Sequence, residues 1–480
     1  MQQRNQLVSN NLDLRNSFFT PETNLWTTNI NFVSQQNALI VVKYLGKVKE
    51  KNLYIGAQYI KYSRNKYISF IEAFLTILRN SNDEIVGFRL EKNCNRIELF
   101  GQISGWLAIL MKECICLDFV SNFQIVRLLG SGSAANVSQI GLTQVYKVKS
   151  KIDNQDYAIK VFDKSLSQKD STIQQSIKME VRILRQLNHP NIIQYKGVFE
   201  SNAQIILVQE LLEGGDLKTI LGDEIVNEVA AKQILRSILK GLNYMHNKGI
   251  FHRDIKKCNL MLRTQDNFNS VCLIDFGLAE KANDDNNYIF KYCGTPGCVA
   301  PEILRKQKYG LKVDIYSVGI LGYQILFGKD PYQSGSTKET ILKNFLGHID
   351  FLNVPQVSNN GLCFLKSLLY EDPINRLSAK QALKHPFLYN EENQLIVRNY
   401  LDLNRSKAVS PKLKPLIFKN SRNSSPNGSP KILPNKVYFR AQASPLRKKE
   451  QIDKISNSEN YGKLSLSQNF KNTFKKMNTK

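Results

Sequence analysis

Between Ala38 and about Val120, apolar and polar residues alternate in short runs: ALIVVKYLGKVK, KNLYIGAQYIKYS, IEAFLTILR, EIVGFRLEK and NRIELFG. A period of two gathers apolar side chains on one face, so these runs predict an antiparallel sheet. A helix-like segment, Gln102 to Cys114, closes them and carries Trp106. From Phe123 the pattern is mixed. Phe123–Leu129 reads as a strand leading into a glycine turn, and Tyr157–Lys160 and Ile205–Val208 read as buried strands. Between the last two, Met179, Ile183 and Leu187 recur at helical spacing within Ile173–Leu187. They predict a buried stripe, with Glu180 on an adjacent face turned toward the strands. Beyond Gly215 helical spacing prevails, at Asn227–His246, Lys312–Phe327, Gly361–Tyr370 and Ser378–Leu383. The expected fold class is α+β: a small β-barrel-like domain at 38–121, then at 123–388 a bilobal unit with a small sheet-rich lobe and a large helical lobe.

The two ends lack periodicity. Residues 1–37 are rich in Asn, Gln and Ser, and residues 389–480 are polar and basic, so both are expected to be disordered. Ser-Pro steps at Ser410, Ser425, Ser429 and Ser444 invite proline-directed phosphorylation, which would offset charge. An inert solubilising tail explains the same composition.

Charge sharpens the picture of that tail. The formal net charge is +25, and from Glu391 to Lys480 nineteen Lys/Arg stand against six Asp/Glu, so about half the excess sits there. Such an excess attracts anionic lipid, nucleic acid or acidic proteins only in a screened, non-specific way. No motif for specific nucleic-acid binding accompanies it, and nothing in the sequence sets an oligomeric state. The eight cysteines form no CxxC pair, which fits reduced thiols in an intracellular protein; Cys258, Cys272, Cys293 and Cys298 fall in or beside the loops discussed next. The N-terminus lacks the apolar core of a signal peptide, and no apolar run is long enough to cross a membrane. A cytoplasmic protein is expected, with a peripheral-membrane or nuclear site also open.

The stretch that carries chemistry is Phe251–Gly277, FHRDIKKCNLMLRTQDNFNSVCLIDFG. His252-Arg253-Asp254 is followed five positions after the aspartate by Asn259, and the apolar run Val271–Ile274 delivers Asp275, Phe276 and Gly277. Two acids and an amide on loops beside a buried strand suit oxygen-ligated magnesium and a hydroxyl that must lose a proton. H-R-D, four residues, N, then D-F-G resembles the signature of the protein kinases.

That resemblance implies ATP and Mg2+ as cofactors and roles for particular residues. Asp254 would accept or orient the substrate hydroxyl's proton, and Asn259 and Asp275 would hold two magnesium ions. Lys256 and Thr295 stand where serine/threonine kinases place a lysine near the transferred phosphate and a brace for the aspartate. Gly130, Gly132 and Ala135 match a phosphate loop of the form GxGxxG with Ala at its third glycine. Lys160, in YAIK beside Ala158, would hold the α- and β-phosphates and pair with Glu180. Backbone groups of Glu210 and Leu212 would meet adenine, Gln209 would guard the deeper pocket, and Asp216 would touch ribose or a basic substrate residue. Glu302, in APE, would pair with Arg376.

Four departures stand out. The loop valine of relatives lies about fifteen residues before the lysine, a distance met by Val145 and not by Val137, so Val137–Gln144 are eight extra residues. A true insertion and an unspliced intron both explain them. Cys258 replaces a glutamate common in kinases that prefer basic substrates, and Cys298 replaces an aromatic residue. Where many relatives carry an activating phosphate facing the HRD arginine, this chain has Lys291. Loop order is therefore expected from Asp284-Asp285, Tyr288 or a partner. No calcium-binding loop or calmodulin-binding helix is evident.

Within the family, CGTPG and GGDL are most similar to the calcium/calmodulin-dependent-kinase-like group. The strands and Trp-bearing helix of residues 38–121 resemble a pleckstrin-homology domain, which would direct Lys43, Lys47, Lys49 and Lys51 at anionic membrane lipid. An ordinary solvated face accounts for the same lysines. The function expected is transfer of the γ-phosphoryl group of Mg-ATP to Ser/Thr hydroxyls of protein substrates, in intracellular signalling; a nucleotide-binding pseudokinase scaffold is the alternative. A lipid or small-molecule kinase fits less well, since Lys256 and the CGTP–APE segment build a peptide platform.

Overall fold

The computed structural model describes residues 19, 26–27, 36–44, 47–63, 66–92, 95–101, 104–132, 143–165, 171–282 and 293–389. Ala135, Asp284, Asp285, Tyr288, Lys291, the Ser-Pro steps and most of the suspected insertion lie outside them. No helix among the described residues is long and apolar enough to cross a membrane.

The alternating runs fold as they read. Strands β1 (Trp26–Thr27), β2 (Gln36–Tyr44), β3 (Lys47–Ile55), β4 (Tyr59–Ser63), β5 (Lys66–Ser69), β6 (Phe74–Arg79), β7 (Ile85–Lys92) and β8 (Asn95–Phe100) are followed by helix α1 (Ser104–Glu113). Their order is β1-β5-β4-β3-β2-β8-β7-β6, antiparallel throughout. The period of two buries Phe88 and Leu90 on β7 and Ile97 and Leu99 on β8. Helix α1 adds Trp106, Leu107 and Leu110 to that core, spaced to share one helical face.

The sheet does not stop at this front domain. Strand β9 (Ile115–Cys116) runs parallel to β6 on one side and to β13 (Tyr195–Glu200) on the other. Beyond it the order continues β13-β14-β12-β11-β10, with β10 Phe123–Gly132, β11 Thr143–Ser150, β12 Asp156–Asp163 and β14 Gln204–Glu210. Among the described residues, one sheet of fourteen strands therefore spans both regions. A single apolar core follows it from Phe88 and Leu110 through Cys116 to Phe199, Ile206 and Val208. At the junction, where α2 (Phe119–Asn122) leads into β10, Phe119, Phe123 and Phe199 stack or meet edge to face at 4.9–5.5 Å.

Two expectations shift. Strand β10 runs on through the glycines, pairing Gly130 with Val145, Ser131 with Gln144 and Gly132 with Thr143. The ladder thus takes in the last two residues of the suspected insertion. Helix α3 (Ser171–Gln186) buries Ile173, Ile177, Glu180, Val181, Ile183 and Leu184, while Met179 is only half-buried. Glu180 lies within the buried stripe itself and not on a neighbouring face.

The large lobe is helical. A short α4 (Leu217–Leu221) precedes α5 (Glu228–His246), which is capped by Asn227. Helix α6 (Pro301–Leu304) precedes α7 (Lys312–Phe327), buried on nearly every side and so the lobe's centre. Two-stranded ribbons, β15 (Ile250–Phe251) with β18 (Glu280–Lys281) and β16 (Leu260–Leu262) with β17 (Val271–Leu273), carry the catalytic stretch.

Candidate active site

Strand β12 buries Ile159 and Val161 and leaves Lys160 between them, directly opposite Val145 on β11. An ammonium in such a place needs carboxylate partners. It has two: Lys160 Nζ donates to both Glu180 oxygens at 2.9 and 3.2 Å and to Asp275 Oδ1 at 3.1 Å. Burial works against the lysine's charge, but Asp275 and Glu180 outweigh it and raise its pKa. Burial pushes Glu180 up, against the pull of Lys160. The Lys160 ammonium holds Asp275 down at about 2. Ser176 Oγ on α3 donates to the Gly277 carbonyl at 2.7 Å, tying the helix to the D-F-G turn. Asp254, Asp275, Lys160 and Glu180 line one cavity.

The catalytic loop is fixed from below. Asp314, fully buried in the first turn of α7, accepts the backbone N–H groups of His252 (3.0 Å) and Arg253 (2.8 Å), and His246 Nε2 lies 2.9 Å from it. Arg253 itself takes a left-handed backbone, φ +67°. Its guanidinium donates to the Leu278 carbonyl (2.7 Å) and the Tyr309 hydroxyl (3.3 Å) and lies 2.6 Å from Glu280. Sequence reasoning missed Asp314 and Glu280. A lone acid opening an otherwise apolar helix was the available signal for Asp314. Glu280 sits on β18, short of the segment expected to order the loop.

Around Asp254 three side chains converge. Thr295 Oγ1 donates to Asp254 Oδ1 at 2.6 Å, Lys256 Nζ lies 2.8 Å from Oδ2 and donates to Thr295 Oγ1 at 2.8 Å. Asn259 Nδ2 donates to the Asp254 carbonyl (2.9 Å) and to its Oδ2 (2.7 Å). With its amide nitrogen committed twice, Asn259 keeps its oxygen as the atom able to ligate a cation. An ionised Asp275 supplies a second oxygen donor, so the residues present fit a hard, oxygen-seeking divalent metal.

Other predicted residues scatter. Gly130 and Gly132 are on β10, and Ala158 pairs with Gln209 of β14. The Glu210 N–H donates to the Gln194 carbonyl (3.0 Å), and its carboxylate accepts the Gln194 N–H and binds Arg263. Leu212 is buried. Asp216 accepts Thr219 N–H at 2.9 Å and Thr219 Oγ1 at 2.7 Å, capping α4. Cys258 is exposed, while burial pushes the Cys298 thiol up to about 12 and the Cys272 thiol to about 11. Arg376 and Glu302 form the expected pair at 2.6 and 3.1 Å.

Residues 123–388 match the family model described as protein kinase domain. The chain is 33% identical over 265 residues to a calcium/calmodulin-dependent protein kinase type 1 of Macrobrachium nipponense, covering 54% of this chain and 73% of that protein. It is 33% identical over 252 residues to the protein of the same name in Caenorhabditis elegans, 51% of this chain and 70% of the relative. A probable serine/threonine-protein kinase, fhkC, of Dictyostelium discoideum is 34% identical over 278 residues, 57% and 45% of the two chains. Membership of this family implies ATP and, in general, a divalent metal. With the family model covering more than half of its length, the chain belongs to the protein kinases, as an enzyme of the serine/threonine type.

Proposed function

We propose that this kinase transfers the γ-phosphoryl group of Mg-ATP to Ser/Thr hydroxyls of protein substrates in intracellular signalling. The observation that carries the reading is the joint placement of the Lys160–Glu180–Asp275 cluster and the Asp254–Lys256–Asn259–Thr295 cluster around one cleft. When bound, Mg2+ would neutralise charge on the transferring phosphoryl group, held by Asp275 and the Asn259 oxygen. Asp254 accepts or orients the hydroxyl proton from a carboxylate that Thr295 and Asn259 hold in place. Lys256 offers its positive charge where the moving phosphoryl's charge builds, and Lys160 steadies the nucleotide phosphates from a position fixed by Glu180. These roles, and nucleotide contacts from Gly130, Gly132, Ala135, Val145, Ala158, Glu210, Leu212 and Asp216, follow from the motifs.

The front domain is proposed as pleckstrin-homology-like. Seven antiparallel strands in the order β5-β4-β3-β2-β8-β7-β6 closed by one helix with a buried Trp106 support that reading. An anionic lipid partner and a cytoplasmic or membrane-peripheral location belong to the same proposal. The test of activity is radiolabel transfer from ATP to a generic basic protein. Asp254→Asn is expected to lose on the order of 10²–10⁴-fold in rate, with nucleotide binding retained. Nucleotide retention by the wild type without any labelling would favour a scaffold.

A further inference from the structure

Glu72 belongs to the front domain, in a turn before β6, and its backbone is left-handed at φ +54°. That conformation is unfavourable for a residue with a Cβ and falls most readily to Gly or Asn. The glutamate held there faces the helix that carries Glu180. Its Oε1 lies 3.7 Å from Arg182 Nε and 3.7 Å from a terminal nitrogen of Arg185. The Arg185 side chain is 8% exposed, and its guanidinium also donates to the Cys114 carbonyl at 3.1 Å and the Tyr195 hydroxyl at 3.3 Å. One arginine of α3 is thus gripped by a carboxylate and a carbonyl of the front region and by a tyrosine of the small lobe.

The surroundings make this grip stiff. Strand β9 is hydrogen-bonded on both sides, to β6 and to β13. At Gly197 on β13, a Cβ would lie 3.0 Å from the Met111 carbonyl of α1, so any side chain there presses on the front helix at its contact with the strand. Arg185 follows Glu180 by five residues, roughly 7.5 Å along the helix. Tilting the gripped end therefore displaces the Glu180 carboxylate, whose bonds to Lys160 are 2.9 and 3.2 Å.

We propose that Glu72 and Arg185 are positioning residues for phosphotransfer: through them the front domain fixes the helix on which Glu180 meets Lys160. The working small lobe then includes the front domain and does not begin at Phe123. This rests on the reading of the Lys160 cleft as the nucleotide site. Loosening α3 lowers the fraction of molecules competent to bind nucleotide. Apparent affinity falls by that fraction, while saturating nucleotide restores order.

The test uses the full chain, with hydrogen–deuterium exchange and steady-state kinetics on Glu72→Asn and Gly197→Val. Asparagine suits the left-handed turn and removes the carboxylate that faces Arg182 and Arg185, so the front domain keeps its own fold. Both variants are expected to speed exchange across residues 177–186 by about tenfold or more and to raise the KM for ATP several-fold, with a smaller change in kcat. Unchanged exchange over 177–186 in both variants overturns the proposal, whether or not the chain labels a substrate. Faster exchange in Glu72→Asn beside a wild type that labels nothing upholds the grip and overturns the phosphotransfer reading instead.

Discussion

Two buried ion pairs bracket this molecule, and they are built differently. In the large lobe, Arg376 is fully buried and closed in: two nitrogens meet the two oxygens of Glu302, and the Tyr370, Lys312 and Glu371 carbonyls take its remaining N–H groups. Tyr316 adds a ring face 4.9 Å from the guanidinium. In the cleft, Lys160 divides one ammonium between Glu180 and Asp275, and the Asp275 side chain remains 31% exposed. The first arrangement has no capacity left for another partner. The second keeps a carboxylate open to the cavity and a cation shared between two acids, as a site that must exchange partners with a ligand requires. A saturated pair fixes a platform, and an unsaturated one is a place for chemistry.

The largest effect should come from breaking the saturated pair. Arg376→Met leaves the Glu302 carboxylate buried without a counterion, which typically costs about 3–5 kcal/mol. Chemical denaturation should show that loss. The double variant Arg376→Met/Glu302→Leu should recover much of it, because no unpaired charge remains. Recovery of nothing would mean that the arginine's carbonyl bonds, and not the ion pair, hold the segment.

Next comes the unsaturated pair. Lys160→Met should lower kcat/KM for ATP by about 10²–10³-fold, the scale of losing one preorganised electrostatic contact. Its stability should fall by less than that of Arg376→Met. Asp275 can turn to solvent, and Glu180, with its pKa already raised by burial, can take up a proton. Equal destabilisation by the two substitutions would erase the distinction between the pairs.

The same contrast predicts an acid limb. Asp275 is held at about 2 by Lys160, below an ordinary aspartate near 3.9. A depressed folded pKa contributes stability that is present above the unfolded value and is lost as pH falls through the folded one. The window therefore runs from about pH 4 down to about pH 2, with about 2–3 kcal/mol at stake. Asp275→Asn should flatten the stability profile in that window, as read by denaturant titration at each pH.

How much of this was open to a reader of the sequence follows from how local each feature is. Asp254, Asn259 and Asp275 sit within twenty-two residues, and their chemistry allows few substitutes, so their spacing announced them. Lys160 and Glu180 were legible as partners because an ammonium on an apolar strand demands one. The face of Glu180 was misread: a periodicity count treats Glu as polar, whereas its pairing with Lys160 lets it lie in the buried stripe beside Ile177 and Val181. Asp314 lies about sixty residues from the loop it holds, and Glu280 acts through a two-residue strand, so neither leaves a local pattern. Ile115–Cys116 joins two sheets with two residues, too few for any alternation to reveal.

The smallest effect belongs to an exposed carboxylate whose partners are wholly local. The motif reading gives Asp216 a ligand, but both its oxygens are engaged by Thr219, through the N–H and the hydroxyl. An N-cap satisfies a backbone donor at the start of a helix that would otherwise have only water, and its removal costs about 0.5–2 kcal/mol. Asp216→Ala should therefore lose about 1 kcal/mol in denaturant unfolding, while Asp216→Ser, which can cap equally well, should lose almost nothing. Kinetics then separate the two roles. If capping is the whole of its work, Asp216→Ser keeps the KM for ATP and for a basic peptide within about twofold of wild type. A rise of about tenfold in either KM with stability intact would instead mean that the carboxylate leaves Thr219 to meet the ligand, placing Asp216 with the unsaturated groups of the cleft.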